Sequence, residues 1–216
     1  MKKMFIISMG IALVTAIIAG WFLVTTTGDI PHNWNIHGEV TSYGSPWYII
    51  TFPITSILVT LLLYFLPRID PKGENIRKSG PILQIVMLLL AILMFGIQMI
   101  IIAAVNGADI LQMNTFISLL LGLLFILIGY YMPRIKPNYM VGIRTPWTLH
   151  NEDVWKKTHE KSGRWFILSG ILYLGGMFLK APYSILIPTA LMLVIMVGIV
   201  IYSYILFKEN KKNEKK

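Results

Sequence analysis

The sequence predicts an all-α fold, a polytopic six-helix transmembrane bundle with an amphipathic cytoplasmic helix before the fifth span. Three observations predict it. Of 216 residues, 56% are hydrophobic and only 13% charged, too little charge to cover a soluble domain of this length. The apolar residues fall in long runs, and about 18 in a row suffice to cross the ~30 Å hydrocarbon layer. The interiors of these runs hold no Asp, Glu, Lys, Arg or His, so each can satisfy its own backbone as a helix in lipid.

The spans are expected at 4–26, 47–66, 81–105, 110–132, 164–180 and 184–207. Lys2 and Lys3 resemble the start of a signal peptide. The apolar run to Val24 is too long for a cleaved one, so an uncleaved first helix is expected. Ala12, Ala16 and Gly20 lie on one ridge of that helix, and small residues there permit close helix approach. The 27–46 loop is punctuated by Gly28, Pro31, Gly38, Gly44 and Pro46, which point to tight turns. Trp34, Tyr43, Trp47 and Tyr48 would form an aromatic belt beside it. "LPRIDP" (66–71) ends the second span and "MPRIKP" (132–137) ends the fourth. The pair reads either as repeated helix-stop chemistry or as duplication of a helical hairpin. Gln84, Gln98, Gln112 and Asn114 are expected to hydrogen-bond between helices rather than line a polar path.

The polar stretch 139–163 interrupts the apolar text. With Asn151 as N-cap, Glu152 and Asp153 fall in the first turn, where the helix dipole favours acids. At 3.6 residues per turn, Val154, Trp155, Thr158, Ser162, Trp165 and Phe166 share one side. Glu152, Asp153, Lys156, Lys157, Glu160, Lys161 and Arg164 take the other, with acids placed four residues before bases. The helix is expected to run into the fifth span and lie at the interface, its two Trp rings at headgroup depth. Before it, Gly142 permits an unusual turn and Pro146 pushes Thr145 to an extended backbone. Arg144 offers a planar donor fork. This elbow is either a recognition surface or a packed plug at the bundle's mouth. Three regions follow: 1–135, a four-helix region with the 27–46 module; 136–207, the polar segment plus the last two spans; and a basic tail, 208–216, expected to be disordered and to serve as a topology anchor rather than a dedicated anionic-lipid contact.

Orientation rests on charge. Lys2 and Lys3, the 67–80 loop, the 133–164 segment and the tail hold 18 of the 19 Lys and Arg residues; only Lys180 lies on the opposite side. By the positive-inside rule both termini and the 139–163 stretch are cytoplasmic. This distribution accounts for the net charge of +9, so no direct nucleic-acid partner is expected. With no cysteine there is neither disulfide nor thiol nucleophile. No span interior offers a carboxylate or His for proton coupling or hydrolysis, so the protein is expected not to be an enzyme and to use no cofactor. No metal is expected: the spacing of His32 and His37 matches no strong site, nor does that of His150 and His159.

The stretch 137–166, "PNYMVGIRTPWTLHNEDVWKKTHEKSGRWF", resembles the signature of the SdpI family of bacterial membrane proteins. The matching residues are Asn138, Tyr139, Gly142, Arg144, Thr145, Pro146, Trp147, Thr148, Leu149, Trp155, Thr158 and His159. The 28–45 loop resembles the family's common outer-loop module through Ile30, Pro31, Trp34, Asn35, Gly38, Tyr43, Gly44 and Ser45. The module's His position is Asn33 here, with His32 one step earlier. The resemblance implies a multi-pass protein of the bacterial plasma membrane that protects against a secreted membrane-active toxin peptide. It also implies signalling in which a cytoplasmic repressor is held at the membrane. His32, Trp34, Asn35 and Tyr43 are then the toxin-contact candidates. The alternative function is a small-solute or lipid transporter gated by the GIRTPW elbow.

The charge asymmetry makes a direct prediction. In this cysteine-free chain, Thr41→Cys should react with an impermeant thiol reagent applied to intact cells; labelling only after permeabilisation would overturn the orientation.

Overall fold

A computed structural model of the chain describes residues 1–107 and 113–213. Eight helices and one hairpin follow in order: α1 (Lys2–Thr25), β1 (Ile30–Trp34), β2 (Val40–Gly44), α2 (Thr51–Ile69), α3 (Gly73–Lys78), α4 (Ile82–Val105), α5 (Met113–Tyr131), α6 (Pro146–His150), α7 (Glu152–Gly176) and α8 (Tyr183–Asn213). Short 3-10 turns at Pro46–Ile50 and Met132–Arg134 precede α2 and follow α5. Five described segments are long and apolar enough to cross a membrane: Lys2–Thr25, Pro46–Ile69, Ile82–Val105, Met113–Arg134 and Tyr183–Asn213. The apolar half of α7, where the fifth span was expected, is not among them, because the first half of the same rod is charged.

The helices form two groups, α1–α2–α4 and α5–α7–α8, joined mainly by α4 against α5. In the first group the expected ridge of α1 is corrected. Its buried side runs Ser8, Ala12, Thr15, Ala19 and Phe22, whereas Gly20 is exposed with open space around it. Gln98 of α4 donates to the Thr15 carbonyl at 2.9 Å, so it joins helices as expected; Gln112 lies outside the described residues. The loop expected to be only turns contains an antiparallel hairpin, β1 with β2. It is a strand pair inside an otherwise helical chain. Ile30 and Trp34 pack onto Phe22, Ile49, Phe52 and Ile101, so the hairpin caps one end of this group. Asn114 of α5 reaches the same loop through the Ile36 carbonyl at 3.2 Å.

The second group is built on glycine. A Cβ added at Gly129 of α5 would lie 2.5 Å from the Gly163 carbonyl of α7, and one at Gly170 of α7 would lie 2.5 Å from the Gly122 carbonyl of α5. Ascending numbers on one helix meet descending numbers on the other, so the helices run antiparallel with backbones in contact. Two further expectations change. Trp155, expected as an open interfacial ring, is instead 1% exposed, inside a cluster with Met132, Ile135 and Phe166. The tail is helical as far as Asn213, a continuation of α8.

The glycine seam leaves no room for a side chain. Gly129→Leu or Gly170→Leu should destabilise the fold by roughly 1–3 kcal/mol or more, lowering both membrane abundance and melting temperature. Gly20→Leu on open α1 should leave both unchanged. Equal tolerance at all three positions would contradict the backbone contact.

Candidate functional site

The signature residues gather at one end of the bundle, where the irregular arm 135–145 crosses from α5 to α6. Irregular backbone has no helical partners, so its polar groups need side chains. Asn138 supplies several. It is 1% exposed; its Oδ1 accepts from the Met140 and Val141 N–H groups at 2.9 and 2.6 Å, and its Nδ2 donates to the Lys136 and Val141 carbonyls.

The next fixed point is His159. Its Nδ1 lies 2.8 Å from the Trp155 carbonyl, and its Nε2 accepts from the Ile143 N–H at 3.0 Å. A carbonyl only accepts, so Nδ1 carries the proton and the ring is neutral. Burial pushes this imidazole down to about 4, against the opposing pull of the Trp155 carbonyl. The ring stacks on Trp155, centroids 4.2 Å apart, and the Trp155 indole donates to the Ile135 carbonyl at 2.7 Å. Gly142 lets the arm pass over this ring: its φ is +107°, and a Cβ there would lie 2.4 Å from Nε2.

Beyond it, Thr145 is extended and caps α6. Its N–H donates to the Thr148 hydroxyl at 3.0 Å and its own hydroxyl accepts from the Thr148 N–H at 3.2 Å. The Thr145 hydroxyl also sits 3.2 Å from that of Ser203 on α8, and Trp147 packs on Tyr204 with centroids 5.1 Å apart. Asn151 caps α7, accepting from the Asp153 and Val154 N–H groups at 2.9 and 3.0 Å. From Glu152 to Arg164, all seven charged residues of α7 are exposed, and Val154, Trp155, Thr158 and Ser162 are buried. Trp165, placed on the same side by the helical period and expected at the interface, is 41% exposed.

The signature therefore divides. Asn138, Gly142, Thr145, Thr148, Trp155 and His159 build the knot; Thr158 is buried beside His159 with its hydroxyl unpartnered among the described residues; Tyr139, Arg144 and Pro146 present exposed surface. Arg144 donates to the Tyr139 carbonyl. Both nitrogens of His159 are engaged by backbone, so its ring offers neither a free lone pair for a metal nor a mobile proton for catalysis. Among the described residues, no three His, Asp or Glu side chains cluster as a metal site.

The structure adds residues the sequence did not single out. Asp70 is 6% exposed and accepts from the Lys72 and Tyr139 N–H groups at 2.6 and 2.8 Å. Asn75 donates to the Pro137 carbonyl at 2.7 Å, and the Ser79 hydroxyl accepts from the Lys136 N–H at 2.9 Å. The two similar Pro-Arg-Ile stretches thus lead into loops that bond to one another. Their resemblance was the available signal, and Asp70 is the residue it contained.

At the other end, three of the outer-loop candidates are committed to the hairpin's own fold. His32 stands edge-on to Tyr48, centroids 3.8 Å apart, and fills the space over Gly44. Asn35 ties the turn by accepting from the His37 and Glu39 N–H groups. Trp34 packs on the core. Tyr43 is 63% exposed, with Trp47 and Ile36 also open nearby in the chain.

Comparison with known proteins agrees with the signature. Residues 134–205 match the model described as the SdpI/YfhL protein family. The chain is 26% identical over 181 residues to the Immunity protein SdpI of Bacillus subtilis (strain 168), covering 84% of each chain. No solved structure matches. The SdpI-family resemblance read from the sequence is thereby shown.

The buried imidazole predicts a pH dependence. Its folded value lies below the ordinary ~6.5 of histidine, so the neutral ring contributes its full stability above about pH 6.5. That contribution is lost as the pH falls toward and through 4, roughly 3 kcal/mol at about 1.4 kcal/mol per unit. His159→Gln should flatten the pH dependence of the melting temperature between pH 7 and 4; an unchanged slope would remove His159 as its source.

Proposed function

We propose, from the premise that this is an SdpI-family integral membrane protein, that it is a non-catalytic immunity protein protecting its cell against a membrane-active toxin peptide. The observation that carries the reading is similarity to a curated immunity protein along most of both chains. The site's chemistry supports it. The signature residues are a hydrogen-bonded scaffold with no disposable nucleophile or base, and the arm is tied to α3, α7 and α8 rather than free to swing as a gate.

The reading includes six crossings, with both termini and the knot in the cytoplasm. Support for the sixth crossing comes from the antiparallel packing of α7 from Gly163 to Gly170 along apolar α5. Residues 152–164 are then the amphipathic cytoplasmic portion of the same helix. Its exposed charged face is the surface available to hold a cytoplasmic repressor. On the outside, Tyr43 and Trp47 are the aromatic groups that the 27–46 module and the turn after it leave open for an arriving peptide, because aromatic anchors dominate recognition surfaces.

The test is a killing assay. Cells lacking the gene should become sensitive to a membrane-active peptide, and the wild-type gene should restore protection. Tyr43→Ala with Trp47→Ala should weaken protection at least tenfold at normal membrane abundance, whereas Trp34→Ala should act by lowering abundance. Full protection by the Tyr43–Trp47 double variant would move toxin capture into the helices. Unchanged killing in the deletion strain across such peptides would sink the immunity reading.

A further inference from the structure

Under the elbow, the two helix groups do not close. A cavity of about 530 Å³ lies between them, walled by residues such as Leu66 of α2, Val86 of α4, Ile128 of α5, Phe166 of α7 and Val200 of α8. The segment Met140–Thr145 lines the same space. The volume falls in the range of about 300–1,000 Å³ usual for small-molecule sites, which pair apolar walls with a few placed polar groups. The opening is lateral. α2 and α8 both line the cavity, yet they are not a packed pair. Met196 and Val200, on the α8 side, are 39% and 40% exposed, on a helix apolar enough to cross the membrane.

Arg144 is the charged residue in this lining. One guanidinium nitrogen donates to the Tyr139 carbonyl, which leaves other donors of the fork available. Among the described residues the carboxylate ion pairs are Lys78 with Glu74 and Lys157 with Asp153, so none holds Arg144. An apolar slot entered from the hydrocarbon side, with a cation where the basic end of the bundle begins, complements an amphiphile with an anionic head. Its planar fork matches the geometry of a phosphate.

We propose that this seam binds one anionic phospholipid from the leaflet on the basic side, with an acyl chain in the cavity and the headgroup phosphate on Arg144. The inference rests on the membrane reading above but not on toxin protection. The site is distinct from the annular lipid around any span, because it lies between helix groups and under the elbow.

The experiment is thermal melting of the purified full chain in neutral detergent, with dioleoyl phosphatidylglycerol, dioleoyl phosphatidylcholine or glycerophosphoglycerol added. Phosphatidylglycerol should raise the melting temperature clearly more than phosphatidylcholine, by mass action on the folded state, and the chain-free headgroup should do nothing. Arg144→Gln should reduce the phosphatidylglycerol effect to that of phosphatidylcholine, while Arg144→Lys keeps a preference. Val200→Trp, which blocks the mouth from the lipid side, should remove the stabilisation by both lipids. Equal effects of the two lipids on the wild type would overturn the proposal. So would a phosphatidylglycerol preference that survives Val200→Trp, or stabilisation by the headgroup alone. No toxin enters this assay, so a failed killing experiment and a failed melting experiment are separable.

Discussion

Irregular backbone placed across the end of an apolar bundle must find partners for its N–H and C=O groups, and that constraint organises this molecule. Neither lipid nor an apolar core can supply them. The arm from Ile135 to Thr145 is therefore lined with side chains that act as surrogate backbone. Asn138 closes the first bend on itself, Trp155 takes the Ile135 carbonyl, and His159 takes the Ile143 N–H. Asp70, Asn75 and Ser79 arrive from the preceding segment to meet the Tyr139 N–H, the Pro137 carbonyl and the Lys136 N–H. Much of the signature is the residue set that this geometry demands. An unsatisfied buried group costs about 1–3 kcal/mol, which makes each of these positions hard to replace.

The same constraint explains why so much was readable beforehand. Capping is local chemistry. Asn151 ahead of two acids announces a helix start and is found as a cap, whereas Thr145, read only as extended before Pro146, proves to cap a short helix not expected from the sequence. The charged and buried sides of residues 152–164 follow from a 3.6-residue period. The apolar runs identify helices by length alone, and five of them qualify as spans.

What was not legible depends on contacts distant in sequence. Asp70 lies 69 residues from Tyr139; the repeated Pro-Arg-Ile stretch marks its loop, but nothing there says which distant backbone it bonds. Trp155 sits among charges, which suggests an interfacial ring; only the fold reveals that Ile135 and His159 enclose it. The glycines at 122, 129, 163 and 170 fall in two helices, and neither pair means anything until the helices are laid side by side. The hairpin was hidden for a different reason. Strands of five residues, broken by Pro31 and by register shifts, give too short an alternation to stand out from turn chemistry.

One consequence concerns α7. It runs 25 residues from Glu152 to Gly176 without an internal proline, a rod of about 37 Å at 1.5 Å per residue. Its apolar half packs on the glycine face of α5, and its charged half carries the ring that holds the arm. Such a rod behaves as a lever: a few degrees of tilt at the end near Gly176 displaces the end near Asn151 by ångströms, enough to change the length of every hydrogen bond made there. Packing at the Gly176 end of the α5–α7 seam thus has a mechanical route to the knot that needs no moving loop.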